Sequence, residues 1–103
     1  MNNRFDIAKE FANRIKSKYI KQIILFGSVA RGDDSEFSDI DILIVSSYGR
    51  KLEPIIEEEV FQIMIEKEEL ISAHVISEEN FNNTKNFSFL TNVLKEGIVI
   101  GWS

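Results

Sequence analysis

"LFGSVARGDDSEFSDIDILIV", residues 25–45, sets an apolar run at each end of a polar stretch. The first run stops on Gly27-Ser28 and the second opens on Asp39-Ile40-Asp41. The order is strand, Gly-Ser, ten residues, Asp-x-Asp, strand. A lone Gly-Ser is a turn and a lone Asp-x-Asp is a solvated strand end. The joint arrangement is what carries information.

On a strand, side chains at i and i+2 share a face, with Cα atoms roughly 6.5–7 Å apart. Asp39 and Asp41 therefore project together, while Ile40 and Ile42 point to the opposite, buried face. Adjacent carboxylates repel, and one pKa rises unless a cation is shared between them. Mg²⁺ suits such a pair because it takes carboxylate and phosphate oxygens. In two-metal sites the ions sit about 3.5–4 Å apart, within the span of two such carboxylates.

Gly27 permits a backbone turn that a Cβ would hinder, and N–H groups exposed after a strand suit phosphate oxygens. The Ser28 hydroxyl adds a donor, and Arg31 offers a planar, permanently charged fork. Gly32 turns the chain into the acidic stretch Asp33-Asp34-Ser35-Glu36. Residues 27–38 are expected to form an exposed loop beside the site.

The elements around this stretch follow from periodicity. Residues 4–18 carry Ala8, Phe11, Ala12, Ile15 and Tyr19 at helical spacing. "QIILF" (22–26), "DIDILIV" (39–45) and "LISAHVI" (70–76) read as strands. A helical stripe over 51–68 comprises Leu52, Ile55, Ile56, Val60, Ile63 and Met64, with Pro54 in its first turn. "SEEN" opens a short helical segment, "FLTNVLKEG" is a last helix stopping at Gly97, and "IVIGW" is a fourth, edge strand. The pattern αββαβαβ predicts an α/β (α+β) fold: a mixed sheet with helices packed mainly on one face.

A chain of 103 residues, 44% apolar, supports one domain spanning 1–103 with a core of ordinary size. Twelve basic against seventeen acidic side chains give a net charge of −5, which opposes extensive nucleic-acid binding. One nucleotide in a pocket is compatible with that charge. The absence of cysteine excludes disulfides and thiolate metal sites. "MNNRFDIAKEF" lacks the apolar core of a signal peptide and no run reaches membrane-spanning length, so a cytoplasmic protein without membrane contact is expected.

"GSVARG" followed by "SDIDILIV" resembles the polymerase-beta-like nucleotidyltransferases, whose signature is Gly-Ser, ten residues, Asp-x-Asp. The resemblance is closest to their smallest members, the minimal nucleotidyltransferases (MNT) of archaea and bacteria. It is strong over residues 23–45, and "ISEENF" and "FLTNVLKEGIVI" are similar to their closing segment. It implies the nucleotidyltransferase fold, ATP as substrate and Mg²⁺ as cofactor. Gly27 and Ser28 would hold the triphosphate, Arg31 would sit near the phosphates, and Asp39 and Asp41 would be the catalytic metal ligands. Active members carry a third carboxylate on the next strand; here His74 occupies that place, on the face shared with Ser72 and Ile76. Imidazole can accept a proton but binds Mg²⁺ poorly. Glu78 and Glu79 lie close by and suit the start of a helix.

Larger members append domains that grip the acceptor; at 103 residues this chain is expected to be nearly all core and unable to hold a large acceptor alone. The resemblance implies a small helical HEPN partner, as in toxin–antitoxin pairs, some of which transfer AMP to a tyrosine of the toxin. Self-association also stays open. Phe81, Phe87, Phe89 and Trp102 are either core, the ordinary expectation, or a partner-facing surface. Two functions are therefore in play: a protein adenylyltransferase, and a non-catalytic nucleotide-binding module that neutralises its partner by binding. An Asp-x-Asp phosphatase is set aside, because its nucleophile follows the apolar strand whereas Asp39 precedes it.

Overall fold

The apolar runs pair into a four-stranded sheet, in the order β3-β2-β1-β4. The computed structural model describes residues 3–84 and 87–102, with the side chains of 49 and 50 left aside. The elements are α1 (Arg4–Ile15), β1 (Ile20–Phe26), α2 (Gly27–Arg31), β2 (Ile40–Ser46), a 3-10 turn (Gly49–Leu52), α3 (Glu53–Lys67), β3 (Ile71–Ser77), α4 (Glu78–Thr84), α5 (Ser88–Glu96) and β4 (Ile98–Trp102). β1 runs antiparallel to β2 and β4, while β2 and β3 are parallel, joined through α3. The sheet is mixed, and "IVIGW" forms an edge strand, both as expected.

Strand alternation divides the core. Ile23, Leu25, Ile40, Ile42 and Ile44 meet Ala8, Phe11, Ile56 and Ile63 of α1 and α3. On the other face Ile24, Leu43 and Val45 meet Phe81, Leu90 and Val93 of the short helices α4 and α5. The long helices thus cover one face and the short ones part of the other. Each fully buried Ile or Leu contributes about 1.5–3 kcal/mol relative to exposure. Both faces of β2 are therefore anchored, which fixes its register and the direction of Asp41.

Several boundaries differ from the sequence reading. α1 ends at Ile15, because Lys16 is extended (φ −56°, ψ 128°). Tyr19 leaves the helical stripe and stacks on Tyr48, with ring centroids 4.7 Å apart. Within α3, Ile55 and Met64 are exposed, and Ile56 and Ile63 face the core. Of the four C-terminal aromatics only Phe81 is core; Phe87, Phe89 and Trp102 are exposed. Residues 27–38 are not loop throughout: Gly27–Arg31 make one short helix before the irregular segment begins. Gly32, left-handed at φ 81°, ends it with its N–H on the Ser28 and Val29 carbonyls.

Candidate active site

β1 and β2 pair so that Phe26 lies opposite Asp41, and β3 sets Ser72 opposite Asp41 on the far side. The chain turns sharply after Phe26. Gly27 adopts φ 74°, in the left-handed region that disfavours any side chain. A Cβ there would clash with Asp41 Oδ2 and lie 3.2 Å from its Cγ. Glycine is required here for space as well as for conformation.

α2 starts at this turn, and no side chain caps it. The first N–H groups of a helix have no intrahelical partner, so the backbone from Ser28 onward offers donors next to Asp41. Ser28 is half-buried; Asp39, just before β2, is exposed.

Asp41 is half-buried, and burial lifts its carboxyl above the ordinary aspartate range. The charges of His74 and Arg31 pull it back, while Asp39 pushes it further up. Two carboxylates with free coordination space, beside backbone donors, suit an ion that completes its shell with water and substrate phosphate. Among the described residues no cluster of three or more His, Cys, Asp and Glu side chains is placed to hold a metal. The donor set thus fits Mg²⁺ shared with a nucleotide, and it does not fit a site closed by protein ligands alone.

Arg31 is on the surface. Its Nε donates to Asp33 Oδ2 at 3.2 Å and its NH1 to Glu96 Oε2 at 3.1 Å. Asp33, then Glu96, raise its pKa and keep it firmly charged.

His74 pairs with Leu43 in the β2–β3 register, which puts it on the sheet face of Asp41, two pairs further along. Its Nε2 lies 3.3 Å from Ser72 Oγ. The ring sits against Phe26 and Phe89, with centroid separations of 5.8 Å and 6.3 Å. Phe26 and Phe89 meet edge to face at 5.7 Å. Beyond His74 opens an apolar groove of about 340 Å³, walled by Leu43, Phe87, Phe89 and Leu90.

The fold therefore brings Gly27, Ser28, Asp39, Asp41 and Arg31 to one end of the sheet, with His74 beside them. The sequence marks Phe89 only as core or partner-facing surface, and it marks neither Phe26 nor Glu96. Phe26 is recognisable as the residue before the Gly-Ser turn. Nothing local marks Glu96, which reaches Arg31 across 65 residues.

A short strand–Gly-Ser–helix followed by Asp-x-Asp on an antiparallel neighbour defines a nucleotidyl-transfer scaffold. Over residues 8–100 the chain matches the family model of the nucleotidyltransferase domain, and it belongs to that family. A Methanocaldococcus jannaschii protein, "Putative protein adenylyltransferase MJ0604", is 50% identical over 95 residues, spanning 89% of this chain and 92% of the relative. A solved toxin–antitoxin structure with AMP-PNP covers 100% of this chain and 75% of its own, with a TM-score of 0.64 at 18% identity. A mutant of the toxin–antitoxin MntA–HpeT covers the same shares, 100% and 75%, with a TM-score of 0.57 at 17% identity. At those identities the two structures speak for the fold.

Proposed function

We propose that the chain is a Mg²⁺-dependent nucleotidyltransferase of the protein-adenylyltransferase kind. It binds ATP through Gly27, Ser28 and Arg31, uses Asp39 and Asp41 as metal ligands, and moves AMP to a hydroxyl of a partner protein. The observation that carries this reading is the apposition of Gly27 and Asp41, a left-handed turn where a side chain would clash with a half-buried carboxylate. The partner is a small helical HEPN-type protein restrained by this chain as its antitoxin, in the cytoplasm. The adenylyltransferase relative supports a protein as acceptor, and the toxin–antitoxin neighbours support pairing with a partner protein.

Gly27 and Ser28 cradle the triphosphate, and Arg31 exchanges Asp33 and Glu96 for a phosphate oxygen. When bound, Mg²⁺ supplies neutralisation of the charge that develops on the phosphates. The acceptor oxygen bonds to the α-phosphorus, the bond between the α-phosphorus and the α,β-bridging oxygen breaks, and that oxygen departs on pyrophosphate. The hydroxyl proton needs an acceptor, and His74 offers an imidazole nitrogen where a third carboxylate is expected.

That replacement, with only two carboxylates grouped, favours a second reading: a nucleotide-binding module that neutralises its partner by contact. The deciding experiment combines the protein, Mg²⁺, ATP labelled at the α-phosphate, and the product of an adjacent gene encoding a small helical protein. Label on the partner establishes transfer. A stable complex without label favours the second reading, and failure to bind ATP overturns both.

A further inference from the structure

Arg4 is the most heavily engaged cation among the described residues, and it touches none of the groups assigned above. It stands at the start of α1, where the helix dipole disfavours a positive charge. Its side chain is only 12% exposed. Nε donates to Glu69 Oε2 at 3.0 Å, and NH1 donates to Asp34 Oδ2 at 3.1 Å and to the Ser35 carbonyl. NH2 donates to the Glu36 carbonyl at 2.9 Å. One guanidinium therefore joins three places that are far apart in sequence.

Two of them, the loop at 34–36 and Glu69, flank the aspartates. Residues 33–41 carry Asp33, Asp34, Glu36, Asp39 and Asp41, and no Lys or Arg lies between Arg31 and Arg50. The repulsion in this stretch has to be countered from elsewhere, and Arg4 does so where the loop approaches Asp39. Glu69 adjoins Leu70, whose carbonyl accepts the Ile40 N–H at 3.0 Å. Within the loop, the Ser38 N–H donates to the Ser35 carbonyl at 3.0 Å, and the Ser35 N–H to Ser38 Oγ at 3.0 Å. Asp39 thus sits between two segments held by the same side chain.

We propose that Arg4 is a positioning residue for the metal-binding aspartates. It orders the acidic loop before the ion arrives, so that metal binding need not supply the ordering entropy of the loop. The proposal rests on the assignment of Asp39 and Asp41 as metal ligands. A planar fork is needed to reach two carboxylates and two carbonyls together, and lysine cannot provide it.

The test measures ATP affinity by calorimetry with and without Mg²⁺, and amide hydrogen exchange in the metal-free protein. In Arg4→Ala the gain in ATP affinity conferred by Mg²⁺ should shrink about 10–100-fold, the usual effect of losing an outer-shell partner. Affinity without Mg²⁺ should hold, and the Ser38 and Ile40 amides should exchange faster. Arg4→Lys should behave like Arg4→Ala. Asp34→Asn removes one contact only and should show the same loss in milder form, even if Arg4→Ala folds poorly. Arg14→Ala breaks a comparable ion-pair group, with Glu66, Glu59 and Glu10, away from the site; it should leave the Mg²⁺ gain unchanged. An undiminished gain in both Arg4→Ala and Asp34→Asn overturns the proposal, as does an equal loss in Arg14→Ala. Asp39→Asn checks the underlying assignment separately: if it keeps the full Mg²⁺ gain, the metal ligands are wrong whatever Arg4 does.

Discussion

Gly27 and Asp41 occupy mutually dependent positions: a Cβ added to Gly27 would clash with Asp41 Oδ2. The left-handed φ of Gly27 adds a second penalty, and a non-glycine residue held there costs on the order of 1–3 kcal/mol. Gly27→Ala should therefore lower stability by about that amount and also displace the Asp41 carboxylate, removing Mg²⁺-dependent ATP binding. Combining it with Asp41→Ala should return part of the stability but none of the binding, with a coupling of about 0.5–3 kcal/mol. Denaturant melts and calorimetry on the four proteins of that cycle read both effects.

Burial holds the Asp41 carboxyl above its ordinary range, with His74 and Arg31 opposing and Asp39 adding to the rise. A raised folded-state pKa contributes stability at pH below the unfolded value and loses it as pH climbs through the folded value. At neutral pH the ionised, metal-free Asp41 is thus a liability. Asp41→Asn should melt higher than wild type at neutral pH, and the difference should vanish in acid below the ordinary aspartate range. Metal binding needs the carboxylate, so Mg²⁺-dependent ATP affinity in the wild type should fall as pH drops through the raised value. A variant less stable than wild type at neutral pH would contradict the burial argument.

Arg31 reaches phosphate only by leaving Asp33 and Glu96. Exposed ion pairs are weak, so Glu96→Gln should tighten ATP binding only slightly, and Arg31→Ala should weaken it. Both effects should shrink in high salt. Tightening in Glu96→Gln that persists on an Arg31→Ala background would show that Glu96 acts by another route.

The site was legible because it is local. Gly27, Ser28, Asp39 and Asp41 lie within fifteen residues of sequence, and strand alternation sets the direction of the two aspartates. The short helix α2 escaped because five residues leave no period to read. α3 misled for a different reason. It is apolar on several sides, with Ile55, Phe61, Met64 and Ile65 exposed and Ile56 and Ile63 buried, so periodicity alone could not select its inner face. Arg4 and Glu96 act across separations of 30 to 65 residues. Their roles depend on packing that no local pattern encodes.

We expect His74 to stand where the family resemblance implies a third carboxylate, and its position makes that expectation testable. The β2–β3 register sets residue 74 on the face of Asp41, and its charge is felt by that carboxylate. A carboxylate there could join Asp39 and Asp41 around metal, whereas imidazole serves Mg²⁺ poorly. Transfer by the wild type should therefore be weak, while ATP binding stays intact. His74→Asp should raise transfer to a partner hydroxyl, within the roughly 10²–10⁴-fold that a well-placed base contributes. It should also strengthen Mg²⁺ dependence, and the added negative charge should raise the pKa of Asp41 further. His74→Phe keeps the contact with Phe26 and Phe89 and removes the imidazole nitrogen, so it separates packing from proton transfer. Brisk transfer by the wild type that survives His74→Phe would assign the proton to another group and leave His74 as part of the aromatic wall.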